Sequence, residues 1–322
     1  LRARGGDTGS VHDLRLTAED ADLLPMTALL PAQTIPEAVQ LHTLHVRRMA
    51  ASLRWTDGIC TADGRADGVS VSASVYGTET TVQSAALTFD EHSLFLAATA
   101  EAAGQTARID GTVRFDTDAP YLDLTVRADD LAVDSILSES PYAGAVTADV
   151  RVTGTPAAIA AAGHLSATEG TAYGISFRDA AADVSYADGV ISFADLTAQA
   201  FGGTVAGEGI VRPADLSYTM HLTTDGVQLA RLRAEADVPI PGGADGALRA
   251  DLGIAGRGTD AAALTVYGSA DVLDGAYRSI PVERASASFL RKGDDLTIDF
   301  LSVNLPNDTD LGMEGRITGT NL

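Results

Sequence analysis

Apolar and polar residues alternate with a period of two along most of this chain. In Tyr121-Leu122-Asp123-Leu124-Thr125-Val126-Arg127, Leu122, Leu124 and Val126 fall on one side, and Tyr121, Asp123, Thr125 and Arg127 on the other. Tyr218, Met220 and Leu222 repeat the design, as do Val69, Val71, Ala73 and Val75. Leu296, Ile298 and Phe300 alternate with Thr297 and Asp299, and Ile109, Val113 and Phe115 share a side with Gly111. Side chains of a strand point to alternate faces, so this spacing predicts half-buried β-strands. Asp188-Gly189, Asp274-Gly275 and Gly293-Asp294 lie between such runs. They are predicted to close tight hairpins, which makes the strands antiparallel neighbours. Helical signals are few. The segments 227–236, 131–137 and 36–49 are the candidates, the last with Pro36 at a plausible first helical position.

The pattern recurs. Leu14-Arg15-Leu16-Thr17-Ala18-Glu19-Asp20, Leu124-Thr125-Val126-Arg127-Ala128-Asp129-Asp130 and Met220-His221-Leu222-Thr223-Thr224-Asp225 are related phrases. An acidic residue followed by Gly recurs at Asp110-Gly111, Glu208-Gly209 and Glu314-Gly315, a spacing of roughly 100 residues. Pro241-Gly242-Gly243 is the clearest seam and Ser140-Pro141 a weaker one. The expected organisation is the end of a preceding repeat at 1–42, then repeats at 43–140, 141–238 and 239–322. Asp20, Asp130 and Asp225 each precede a short apolar segment, and a helix N-cap or turn explains that placement better than catalysis does.

Composition narrows the function classes. The net charge is -22, from 44 acidic and 22 basic residues. Nucleic acid demands a basic footprint, so that partner is excluded as an expectation. Hydrophobic residues make up 45% of the chain, which argues against disorder. Aromatics make up only 5%, so Ala, Val and Leu do most of the apolar work. Cys60 stands alone, which rules out an intrachain disulfide and a Cys-based zinc site. No apolar run approaches the ~20 residues a membrane-spanning helix needs. The chain starts mid-pattern without Met and carries no signal peptide, so it reads as a fragment whose anchor or export signal lies elsewhere.

One stretch is more telling than the rest. Gly202-Gly203-Thr204-Val205-Ala206-Gly207-Glu208-Gly209 is followed by a strand that ends in Asp225-Gly226-Val227-Gln228-Leu229 and a short helix. In these features the chain resembles the TamB/AsmA-like proteins of diderm bacteria, from about Val11 to Leu322. The resemblance implies an all-β fold: an elongated, curled antiparallel sheet of repeated hairpins with a few short helices, forming an apolar groove. It implies a non-enzymatic periplasmic segment that conducts phospholipid between inner and outer membrane, in service of outer-membrane biogenesis. Its partners would be phospholipid acyl chains, with an inner-membrane anchor and an outer-membrane partner reached through regions outside this fragment. The C-terminal domain that distinguishes the TamB subgroup is not identifiable in the residues, which favours a middle fragment. The candidate groove-lining residues are Leu122, Leu124, Val126, Val184, Tyr186, Val205, Val211, Tyr218, Met220, Leu222, Leu296, Ile298 and Phe300. The same apolar stripes would equally line the core of a tandem β-sandwich adhesin or surface-array protein, the alternative reading.

No constellation points to an enzyme. There is no Gly-x-Ser-x-Gly elbow and no phosphate-binding loop; the glycines at 202–209 sit in a strand pattern, where they permit curvature or bulges. His42-x-x-His45 lacks a third ligand, and Asp116-Thr117-Asp118 and Asn307-Asp308-Thr309-Asp310 lack the full calcium-loop pattern. Adjacent carboxylates at Asp129-Asp130 and Asp294-Asp295 point to opposite faces of a strand, which prevents acid/base pairing. No catalytic residue, metal or cofactor is expected.

Overall fold

The structure is a computed structural model. It describes residues 2–8, 11–29, 39–56, 59–75, 78–115, 119–132, 142–172, 174–235, 242–258, 261–306 and 309–317. Among these, nineteen strands carry nearly all the regular structure. They divide between two compact units: Leu1–Ser138 with Thr147–Ala161, and Glu139–Val146 with Ala162–Leu322.

The first unit contains β1 (Arg2–Thr8), β2 (Val11–Asp22), β3 (Val39–Thr56), β4 (Ile59–Val75), β5 (Thr78–Phe89), β6 (Ser93–Ala102), β7 (Gln105–Arg114) and β8 (Tyr121–Ala132). Each pairs antiparallel with the next in chain order. Strands β9 (Tyr142–Thr155) and β10 (Ala158–Ala172) pair with each other and are shared between the units. The second unit adds β11 (Ile175–Ala187), β12 (Val190–Ala200), β13 (Gly203–Arg212), β14 (Ser217–Gln228), α1 (Leu229–Glu235), β15 (Ala244–Arg257), β16 (Thr265–Tyr277), β17 (Ile280–Lys292), β18 (Asp295–Leu305) and β19 (Thr309–Ile317). From β11 to β19 the pairing is again antiparallel and sequential. No described pairing joins β1 to β8 or β11 to β19, so neither ladder closes on itself. The all-β class and the meander of hairpins are as the alternation predicted. A sandwich module needs two packed sheets, and neither unit shows a second sheet among the described residues.

The core is correspondingly thin. Among the described residues fifteen apolar side chains are buried, and ten of them are alanines, with Val46 and Val227 the largest that are fully enclosed. In the first unit Ala18, Val46, Ala66, Val69 and Ala85 form one cluster, with Leu23, Leu44, Met49 and Leu87 packed around it. No charged or polar residue among those described is buried. In the second unit α1 packs on β14 and β15 with Leu229 buried. It covers only the end of those strands.

Several local expectations are corrected. Segment 39–49 is strand β3, not helix, because Val39, Leu41, Leu44 and Val46 pair along β4. The segment 30–38 lies outside the described residues, as do 133–141, 116–118 and 307–308. Segment 229–235 is helical as expected. Asp188-Gly189 and Gly293-Asp294 sit at hairpin turns, but Asp274-Gly275 lies inside β16 and that hairpin turns at Arg278-Ser279. Asp20 and Asp130 cap no helix; both lie within strands in the left-handed region, with φ of 43° and 52°. It is Asp22 that caps the short 3-10 turn at Leu24–Leu29, through Leu24 N–H to its Oδ1 at 2.9 Å.

Asp179, Asp195 and Asp274 share that left-handed conformation inside strands. Asp179 and Asp195 fall in register irregularities of the β11–β12 and β12–β13 ladders. A bulge bends its strand and increases the local twist. Asp tolerates the left-handed region better than most residues because its short carboxylate bonds locally. These aspartates therefore mark where the strands bend.

Candidate functional site

Register decides which residues share a face. In the second unit one row of directly paired residues runs Val184, Phe193, Gly209, Met220, Ile254, Val266, Arg291, Leu296 across eight strands. The next row on the same face runs Leu196, Gly207, Leu222, Leu252, Gly268, Phe289, Ile298. Tyr186, Ile191, Val211 and Tyr218 make a row beyond the first, and Val205, Thr224 and Ala250 one beyond the second. In the first unit the same construction gives Ala18, Met49, Ala66, Leu87, Leu96, Gly111, Leu124. Leu122 and Val126 head the flanking rows. Each unit thus has one sheet face on which apolar residues and glycine recur from strand to strand, Arg291 being the charged member of the rows named.

The structure brings most of the sequence candidates together within their units. Leu122, Leu124 and Val126 share one face of the first unit. Val184, Tyr186, Val205, Val211, Tyr218, Met220, Leu222, Leu296 and Ile298 share one face of the second. Phe300 does not join them. The β17–β18 ladder slips between Ser288 and Phe289, so Ile298 pairs with Phe289 while Phe300 pairs with Ser288. Asp299 is the extra residue, and Phe300 turns to the opposite face, 49% exposed. Apart from Phe300 and Tyr186, the candidates are half-buried. Sequence reasoning missed Phe193, Leu252, Ile254, Val266 and Phe289. The alternation in Leu248-Arg249-Ala250-Asp251-Leu252-Gly253-Ile254 was the available signal.

Glycine keeps this face smooth where large side chains lie flat. A Cβ at Gly207 would stand 2.2 Å from His221 O and 2.8 Å from Leu222 Cδ2. Such contacts leave no room for a side chain, so Leu222 lies over the glycine. The glycines that looked like sites of curvature act here as sites of close approach.

The opposite face is polar and cross-linked by ion pairs. In the first unit Arg151 meets Asp123 at 2.8 Å, Arg127 meets Asp149 at 3.1 Å and Arg54 meets Asp13 at 2.9 Å. In the second, Arg249 meets Asp225 at 2.6 Å, His221 meets Asp251 at 2.7 Å, and Arg284 meets Asp271 at 2.8 Å. The hydrogen bond from Arg151 holds the Asp123 carboxyl below its ordinary pKa. Ser286 first and Arg284 second do the same to Asp271. All are solvent-exposed and each contributes little to stability, but together they keep one face wet and in register while the other stays apolar. Among the described residues no cluster of His, Cys, Asp or Glu is arranged to hold a metal ion, and His42 and His45 lie on strand β3, His42 3.6 Å from Glu79. No helix among them is long and apolar enough to cross a membrane.

An antiparallel ladder with one apolar and one charged face, with no covering layer of helices among the described residues, defines a class of β-sheet protein that presents a surface instead of enclosing a site. Its sequence matches a family model, the TamB C-terminal domain, over residues 96–304. The match spans more than half of the chain, so this chain belongs to the TamB family of cell-envelope proteins. The expectation that the TamB C-terminal domain could not be identified in these residues is overturned by that match. Its degenerate alternating pattern hid it, since no single motif marks it. No curated protein and no solved structure matches the chain.

Proposed function

We propose that this chain conducts phospholipid between the inner and outer membranes, its acyl chains sliding on the apolar face of each unit. The observation that carries the reading is the register: apolar residues align row upon row across successive strands, with no helix layer above them among the described residues. Each CH₂ removed from water contributes about 0.8 kcal/mol. A phospholipid tail therefore prefers such a face to water by many kcal/mol. Movement along the face requires nearly uniform affinity, and small aliphatic side chains supply that without deep pockets. The family's role in the envelope supports the same direction, as does the opposite face, whose ion pairs stay solvated. The mechanism is passive and needs no catalytic group. The chain is periplasmic in this reading, with its anchor and outer-membrane partner supplied from elsewhere.

The test is lipid capture. The purified chain, extracted with solvent and analysed by mass spectrometry, is expected to release phospholipid. Variants with Leu124→Asp or Met220→Arg are expected to release far less while folding normally. Lipid-free wild-type protein, together with normal envelope lipid transport in cells carrying either variant, would overturn the reading.

A further inference from the structure

The paired rows that cross the apolar face of the second unit carry one charged side chain, Arg291. It pairs with Val266 on one side and Leu296 on the other, both apolar. The residue is half-buried, and its Nε–H donates to Gly293 O at 2.9 Å. That bond uses one of the five donors a guanidinium carries. No ion pair joins Arg291 to a carboxylate among the described residues, although the chain holds 44 acidic residues. On the opposite face Arg249, Arg284 and Arg316 each meet an aspartate, at 2.6, 2.8 and 3.3 Å. Arg291 is thus a cation at the margin of an apolar surface with most of its donors unused.

We propose that Arg291 is a headgroup anchor for a phospholipid whose acyl chains lie on the same face. This rests on the lipid-conduit reading and adds to it a defined position for the phosphate. Toward the interior of β17 the same face continues through Phe289, Ala287 and Ala285. From Arg291 to Ala285 the strand spans about 20 Å. One leaflet of a bilayer's hydrocarbon core is about 15 Å thick, half of the full core, so an extended tail fits along this strand. The planar guanidinium fork matches phosphate oxygens in a two-point contact. The occupant that satisfies the cation and the apolar strip together is an amphiphile with a phosphodiester at one end. The phosphate sits at Arg291, and the tails run toward Ala285.

The experiment uses the full chain and two photoactivatable probes with identical acyl chains, dioleoylphosphatidylglycerol and dioleoylglycerol, scored by intact mass. Wild-type protein is expected to capture both. Arg291→Gln is expected to capture about ten-fold less of the phospholipid, the loss of one charge-assisted contact, and to capture dioleoylglycerol unchanged. Arg291→Lys, which keeps the cation, recovers part of the phospholipid capture. Arg257→Gln, on the opposite face, alters neither probe. If Arg291→Gln lowers both probes equally, or neither, the anchor is wrong while the conduit stands. If wild-type protein captures neither probe, the conduit itself fails and the anchor falls with it.

Discussion

Met220 on β14 lies directly across from Gly209 on β13, and its side chain occupies the space a Cβ on that glycine would need, 2.9 Å from Met220 Cγ. Leu222 over Gly207 repeats the arrangement on the same face, a large side chain resting on a bare backbone. The arrangement keeps the surface even from β13 to β14.

Filling such a gap is expected to be costly. Gly207→Ala places a methyl group 2.2 Å from His221 O, and overpacking of this kind costs about 1–3 kcal/mol. Gly312→Ala meets nothing within 4 Å and is expected to stay within about 0.5 kcal/mol of wild type. Urea melts followed by circular dichroism compare the two. Equal midpoints for both variants would remove the packing argument.

The two faces are expected to respond differently to charge. Ile298→Asp places a carboxylate on the apolar face, whereas Phe300→Asp places one on the polar face beside Ser288. Phospholipid capture should fall about ten-fold or more for Ile298→Asp, since each unit of 1.4 kcal/mol is ten-fold in affinity. It should hold for Phe300→Asp. The reverse result would mean that the register at the β18 bulge is mistaken.

Leu229 anchors helix α1, 8% exposed beside Val227 at 2%. Leu229→Ala removes a buried side chain and is expected to cost about 2–4 kcal/mol, seen as a lower urea midpoint. Arg233→Ala, in the exposed last turn, is expected to change it by under about 0.5 kcal/mol.

Acid should loosen the polar face at its ion pairs. Asp123 is held below its ordinary pKa of 3.8 by the hydrogen bond from Arg151. A depressed carboxyl stabilises the fold at neutral pH, and that stabilisation is lost as pH falls through the folded-state pKa, below the ordinary value. Because the pair is exposed, the effect is small, and the carboxyl's own titration reports it best. NMR should find Asp123 titrating lower in wild type than in Arg151→Gln. A titration indifferent to Arg151 would contradict the pairing.

Much of this protein was legible in the residues. Leu122, Leu124 and Val126, or Tyr218, Met220 and Leu222, reveal their shared face by spacing alone, because side chains of a strand alternate with a period of two. The turn at Asp188-Gly189 and the helix at 229–235 were legible as well, from turn chemistry and from the break in alternation. The segment 39–49 misled because the bulge at His42 interrupts its alternation, so a strand passed for a helix.

What the sequence determined, then, is the strand content, the antiparallel hairpins and the existence of an apolar face, since each follows from local periodicity and turn chemistry. Only the tertiary structure decided which residues that face contains. A single inserted residue, such as Asp299, inverts the facing of the residues around it, so Phe300 points away from Ile298 although two positions separate them. The spacing of residues in the chain does not record such slips. They arise from pairing with a neighbouring strand, and that pairing alone brings Arg291, from a run of polar and apolar residues with no evident signal, to the margin of the apolar surface.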